Sequence, residues 1–256
     1  MISRYAVWLN DIALTAISPA IYISDIAYQA ASPSRSTSAY AGGDGQYSSD
    51  TDTIDANRIA VTFMIREYNT QRRQFVLQDV IAWAAKGGWL ETSDRFGQHI
   101  YVRCTRIPGI TSVMRWTDSL QIEFTAYDYP FWTDKEPVEV SVNAGETGTL
   151  FLHGVRKSCV EAVISSSDPI GSVSLTCGDT SIQLSNLGLS ANSVITIDYT
   201  DNHHILQIKS GDVSLLANRD PASDDDLIAE VGENALSFQS DSASAVCLFK
   251  VKGVYL

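Results

Sequence analysis

The side chains able to do chemistry are few and scattered along the chain. Four histidines stand at positions 99, 153, 203 and 204. His203 and His204 are adjacent, so on a strand they point to opposite faces and cannot share a metal ion without ligands from elsewhere; a polar strand start after a turn is the plainer reading. His99 and His153 have no carboxylate or cysteine at ligand spacing. Asp224, Asp225 and Asp226 offer hard oxygen ligands, but the spaced donors and closing Glu of a calcium loop are missing, which leaves a solvated acidic loop. Gly42-Gly43-Asp44-Gly45 is not followed by the Gly-Lys-Ser/Thr of a phosphate cradle and reads as a loop tip. There is no GxSxG elbow, and no Ser, His and Asp or Cys and His set in a recognisable local context. A glycosidase pair is spatial rather than sequential, and no Asp or Glu can be nominated for one. Cys104, Cys159, Cys177 and Cys247 are far apart with no CxxC pair, so they are expected to be buried, reduced thiols. No catalytic, cofactor-binding or metal-binding residue is therefore expected, and the chain does not read as an enzyme.

What remains is recognition. Arg72 and Arg73 open a predicted helix, Arg66 lies just upstream, and Arg103, Arg106 and Arg115 fall on neighbouring strand signals. An ordinary solvated face accounts for them, but Arg also binds carboxylates with a planar fork, which suits an interface with acidic surface on a neighbouring subunit. Arg66, Arg72, Arg73 and the aromatic Trp89 are the candidate interface residues. Glycan sites usually stack sugar rings on exposed Trp or Tyr. The second half of the chain has no Trp, and its aromatics are Phe151, Tyr199, Phe238, Phe249 and Tyr255, several alternating with apolar neighbours as core residues do. Direct glycan recognition is not expected.

The elements that must position these residues follow from periodicity. Arg58 to Arg66 alternates Ile59, Val61, Phe63 and Ile65 on one face, a half-buried strand. From Thr70 to Lys86 the period changes to helical, with Val76, Val80, Trp83 and Ala84 on one face and Gly87-Gly88 as a left-handed stop. Strands are predicted over Tyr5 to Leu14, Ala20 to Tyr28, Gln98 to Thr105, Ser112 to Trp116 and Ser119 to Tyr127, with a turn at Thr117-Asp118-Ser119. Ala30 to Asp55 is rich in Ser, Gly and Asp and shows no core pattern, which marks it as a functional or mobile segment. After a boundary near Thr133 to Pro137, strand-like runs recur every 8 to 12 residues up to Val246 to Val251 without helical periodicity, the pattern of an antiparallel β-sandwich.

Composition bounds the partners. The 256 residues suffice for two ordinary domains, predicted at 1–132 and 133–256. The net charge of −12 is unevenly spread: 11 basic and 13 acidic residues run through Trp132, then 7 and 17 after it, whereas all five Trp lie in the first part. Such a chain repels phosphate backbones and anionic lipid heads, so neither nucleic acid nor membrane is an expected partner. The longest uncharged stretches are broken by polar residues and cannot cross a bilayer, and the N-terminus carries no secretion signal pattern, which fits synthesis in the cytoplasm.

Trp83-Ala84-Ala85-Lys86-Gly87-Gly88-Trp89-Leu90, then Trp116-Thr117-Asp118 and the run Phe124-Thr125-Ala126-Tyr127-Asp128-Tyr129-Pro130-Phe131-Trp132, resemble the N-terminal domain of siphophage distal tail proteins. Asn143-Ala144-Gly145, Ile195-Thr196-Ile197-Asp198 and Glu230-Val231-Gly232-Glu233-Asn234 continue the likeness. The resemblance implies a mainly β chain: a β-barrel-like, split-sheet domain with one helix, closed by the Pro-Phe-Trp element, then a galectin-like or carbohydrate-module-like sandwich. It further implies a structural protein of the virion tail tip, six copies of whose first domain form a ring between the tail tube and tape measure protein on one side and a tail-associated hub or receptor-binding protein on the other. The alternative is a carbohydrate-binding module or other β-sandwich adhesion protein, which saturable binding on a glycan array would favour.

Overall fold

Alternation of buried and exposed positions fixes most strands, and turn chemistry joins them. A computed structural model of the protein describes residues 5–29, 33–39, 46–54, 56–107, 119–200 and 205–256. The chain divides into two compact units, Met1–Trp132 together with Leu256, and Thr133–Tyr255.

The first unit runs β1 (Val7–Leu9), β2 (Ile12–Ala13), α1 (Leu14–Ile17), β3 (Ile21–Gln29), β4 (Pro33–Ala39), β5 (Gln46–Ile54), β6 (Asn57–Ile65), α2 (Thr70–Ala85), β7 (Gly88–Thr92), β8 (Gln98–Arg106) and β9 (Leu120–Ala126). Its main sheet has the order β2-β1-β7-β8-β9-β6-β3, antiparallel throughout. Ile59, Val61, Phe63 and Ile65 of β6 are all buried, as their alternation requires, together with Ile122 and Phe124 of β9. Helix α2 starts at Asn69, whose side chain accepts from the Gln71 and Arg72 amides and so satisfies two of the orphan donors.

Several expectations are corrected here. Tyr5 to Leu14 is not one strand but a tight β1–β2 hairpin: Asn10 and Asp11 both take positive φ (51° and 62°), which Asn and Asp tolerate and which reverses the chain in two residues. One helix was expected, and α1 adds a second of a single turn. On α2 the buried face is Leu77, Val80, Trp83 and Ala84; Leu77 takes the place expected of Val76, which is only half-buried. The segment without a core pattern, read as functional or mobile, contains β4 and β5, paired with each other as a two-stranded ribbon. The predictions at Gly42 to Gly45, Ser112 to Trp116, Thr117-Asp118 and His203-His204 lie outside the described residues.

The second unit is a sandwich. Chain order is β10 (Trp132–Asp134, which begins on the last residue of the first unit), β11 (Val138–Asn143), β12 (Thr147–Leu152), β13 (Ser158–Cys159), β14 (Glu161–Ser165), β15 (Val173–Cys177), β16 (Thr180–Leu184), β17 (Val194–Tyr199), β18 (Leu206–Ser210), β19 (Val213–Ser214), β20 (Ile228–Ala229), β21 (Gly232–Ser240), β22 (Val246–Val251) and β23 (Val254–Tyr255). A six-stranded sheet, β11-β22-β14-β17-β18-β19, and a four-stranded sheet, β12-β21-β15-β16, are both antiparallel. Their inward residues form one core that includes Leu150, Ile164, Leu175, Ile182, Ile197, Phe238 and Phe249. Asp134 ties the two ends of the unit together: its Oδ2 accepts from the Gly253 amide at 2.9 Å and the Tyr255 hydroxyl at 3.3 Å. The mainly β class with a C-terminal antiparallel sandwich is as expected.

Candidate oligomerisation surface

The reactive groups of the second unit are used structurally. Asp224 Oδ2 accepts from the Ser181 amide at 2.6 Å and Asp225 pairs with Arg219 at 2.9 Å, so the acidic run braces its own loop. Among the described residues no group of three or more His, Cys, Asp or Glu is arranged to hold a metal ion. Burial pushes the Cys177 thiol up to about 11, and burial with the nearby Asp226 does the same for Cys159; Cys247 is driven higher still by burial. Protonated thiols are poor nucleophiles. Cys177 and Cys247 are buried as expected, whereas Cys104 and Cys159 are only half-buried because each lies near a strand end. Phe238 and Phe249 are fully buried in the core, and the Tyr199 hydroxyl is engaged by both the amide and the carbonyl of Leu227, at 2.9 and 3.4 Å. Phe151, about half exposed, lies 4.8 Å from the His153 ring.

The first unit is different, because it presents aromatic and cationic groups outward. The chain leaves α2 through Gly87 and Gly88, both at positive φ. A side chain on Gly88 is excluded, since a Cβ there would meet Asn10 Oδ1 at 2.1 Å. That close approach lets the Asn10 amide bridge the corner: Nδ2 donates to the Gly87 carbonyl at 2.8 Å, and Oδ1 accepts from the Trp89 amide at 3.0 Å. The β1–β2 turn thereby fixes Trp89. On β7, Leu90 points into the core, so Trp89 and Glu91 point to the other face. Trp89 is 38% exposed, stacks on His99 at 4.1 Å and receives the edge of Tyr101 at 5.4 Å. Trp8 is registered opposite Glu91 and shares this face.

Helix α2 packs on the opposite side of the sheet. Trp83 Nε1 donates to the Ile12 carbonyl at 3.0 Å, and its ring meets the edge of Phe124 at 6.1 Å. Arg72 and Arg73 occupy the first turn of α2; Arg73 donates to Thr70 Oγ1 at 3.4 Å. Arg66 is exposed, with its guanidinium 4.8 Å above the Tyr22 ring. The four candidate interface residues thus fall into two places: three cations around the start of α2, and Trp89 beyond its other end, on the sheet face away from the helix. Arg103 and Arg106 are held by Asp128 and Glu123 at 3.1 and 2.9 Å; Arg115 lies outside the described residues.

Residue spacing gave no sign of the cluster around Trp132. Arg95 lies 4.9 Å over the Trp132 ring and 5.2 Å over that of Tyr28, and the Tyr28 hydroxyl donates to Asp94 at 2.6 Å. Trp132 is fully buried, so the Pro-Phe-Trp run ends in packed structure. Only the aromatic density of Tyr127 to Trp132 hinted at it.

No protein-family model matches the chain, and no curated protein does. Solved structures do. The SPP1 Dit (gp 19.1) protein, a paradigm of the hub adsorption apparatus in phages infecting Gram-positive bacteria, aligns with a TM-score of 0.70 and 13% identity over 97% of this chain and 98% of its own. A chain of the phage P2 baseplate, in its activated conformation with Ca, aligns with a TM-score of 0.54 and 11% identity over 99% and 98%. The corresponding Sr structure gives 0.51 and 11% over 97% of each chain. The likeness to distal tail proteins read from the sequence therefore holds for the fold along nearly the whole chain.

Proposed function

We propose that this protein is a structural component of a phage or prophage tail tip, in which residues 1–132 form a hexameric ring joining the tail tube to the tail-tip hub and receptor-binding apparatus. The observation that carries this reading is the alignment with SPP1 Dit, which covers 97% of this chain and so includes residues of both units rather than a single common sandwich. The chemistry is consistent with it. The cysteines are protonated by burial, the acidic loop is spent on its own hydrogen bonds, and the outward aromatics and arginines of the first unit are groups that associate rather than react.

Head-to-tail contacts that close after a fixed rotation make rings of this kind. The tube and tape measure proteins would meet one side of the ring and the hub or receptor-binding protein the other, with the sandwiches projecting outward. An acidic lumen would let DNA slide through the ring without adhering. Negative-stain images of the purified chain test the reading: six-fold rings with a central opening are expected, and a field of single particles up to about millimolar protein would overturn it.

A further inference from the structure

The first turn of α2 breaks a local rule. A helix N-terminus carries partial positive charge and favours Asp or Glu there, yet this turn holds Arg72 and Arg73 and no acidic residue. Neither arginine forms an ion pair among the described residues. Two large aromatics flank them: Tyr68, just ahead of the cap, is 85% exposed, and Phe75, one turn beyond Arg72, is 65% exposed. Glu67 Oε1 accepts from the Asn69 amide at 3.0 Å, so one carboxylate lies beside the cap, and the arginines with the two exposed rings make a surface of the kind that associates.

On the far side of the same sheet lies a complementary surface. Trp89, 38% exposed, with the half-buried Tyr101 and Trp8 beside it, supplies aromatic surface, and Glu91, registered opposite Trp8 and two residues from Trp89 on β7, supplies a carboxylate. Guanidinium groups bind both partners well, stacking on indole and forking onto carboxylate. Because α2 packs against the Leu90 side and Trp89 points away from it, the two surfaces lie on opposite sides of one unit, as a heterologous ring contact requires. We infer that the start of α2 in one copy docks on the Trp89 face of the next, with Arg72 and Arg73 on Trp89 and Glu91, and with Tyr68 and Phe75 against Trp8 and Tyr101. This inference rests on the ring reading and names its contact.

Charge exchange tests it. Arg72→Glu and Glu91→Arg each place like charges across the contact, and each alone should raise the concentration at which rings half-dissociate by about tenfold or more. Mixed one to one, the two variants should recover rings, because every contact around an alternating ring of six is then complementary; misfolded variants could not recover in this way. If the wild type forms rings and both variants do so equally well, or if the variants lose rings and mixing fails to restore them, this contact is refuted while the ring stands. A wild type that forms no ring overturns the ring reading and this contact with it.

Discussion

The two units solve the same packing problem and leave different surfaces. In the second, two sheets close over one apolar core, and Phe151 is the only exposed large aromatic among the described residues; the charge there is strongly acidic. In the first, the core is as well buried, yet Tyr68, Phe75, Trp89, Phe96 and Tyr127 stand outward and the charge is nearly balanced. Apolar rings beside cations are what an associating surface uses, whereas the second unit exposes aliphatic side chains, Val155, Val194, Ile205, Val213, Leu216 and Val231, under a net acidic charge. This difference is why the proposed ring contact is placed on the first unit.

Core truncation gives the sharpest contrast. Trp132→Ala and Phe238→Ala each remove a fully buried ring and should each cost about 3–5 kcal/mol by denaturant titration. Under the account, only the first should also abolish rings in native light scattering. Equal loss from Phe238→Ala would erase the distinction.

Gly88→Ala comes next. The new methyl would collide with the Asn10 amide at a backbone angle that L side chains rarely adopt, so a loss of about 2–3 kcal/mol is expected, together with a shift in Trp fluorescence as Trp89 is displaced. A variant as stable as the wild type would mean that the corner is not held by Asn10.

The alkaline limb of stability should be set by the second unit. Cys177 has its folded pKa raised above its unfolded value, so its contribution is intact below the unfolded value near 9 and is lost as pH rises through about 11. The loss should be on the order of 2 kcal/mol, and Cys177→Ala should flatten that part of the profile. The smallest effect belongs to the helix cap: Asn69→Ala removes the acceptor for the Gln71 and Arg72 amides and should cost about 1 kcal/mol in thermal unfolding.

Much of the fold was legible because burial imposes a period. The alternation in β6 and β9 and the recurring runs after Pro137 identify strands, since each has one inward face. Helix α2 was legible from its period and from Gly87-Gly88, although the choice between Val76 and Leu77 was not, because one step around a helix turns by 100° and both are apolar. The β1–β2 hairpin was missed although Asn10-Asp11 between apolar pairs is a usable turn signal. The pairing of β4 with β5 had no apolar pattern to reveal it. Arg66, Arg72, Arg73 and Trp89 were nominated together, but sequence cannot say that a sheet lies between the helix and the Trp89 face. Arg95 over Trp132 joins residues 37 apart and left no local trace.

Native mass measured by light scattering on the purified full chain tests the central claim most directly. The account predicts a discrete species at six times the 27.9 kDa chain mass, which Trp132→Ala abolishes and Phe238→Ala preserves. A species that stays at 27.9 kDa up to about millimolar protein would contradict it.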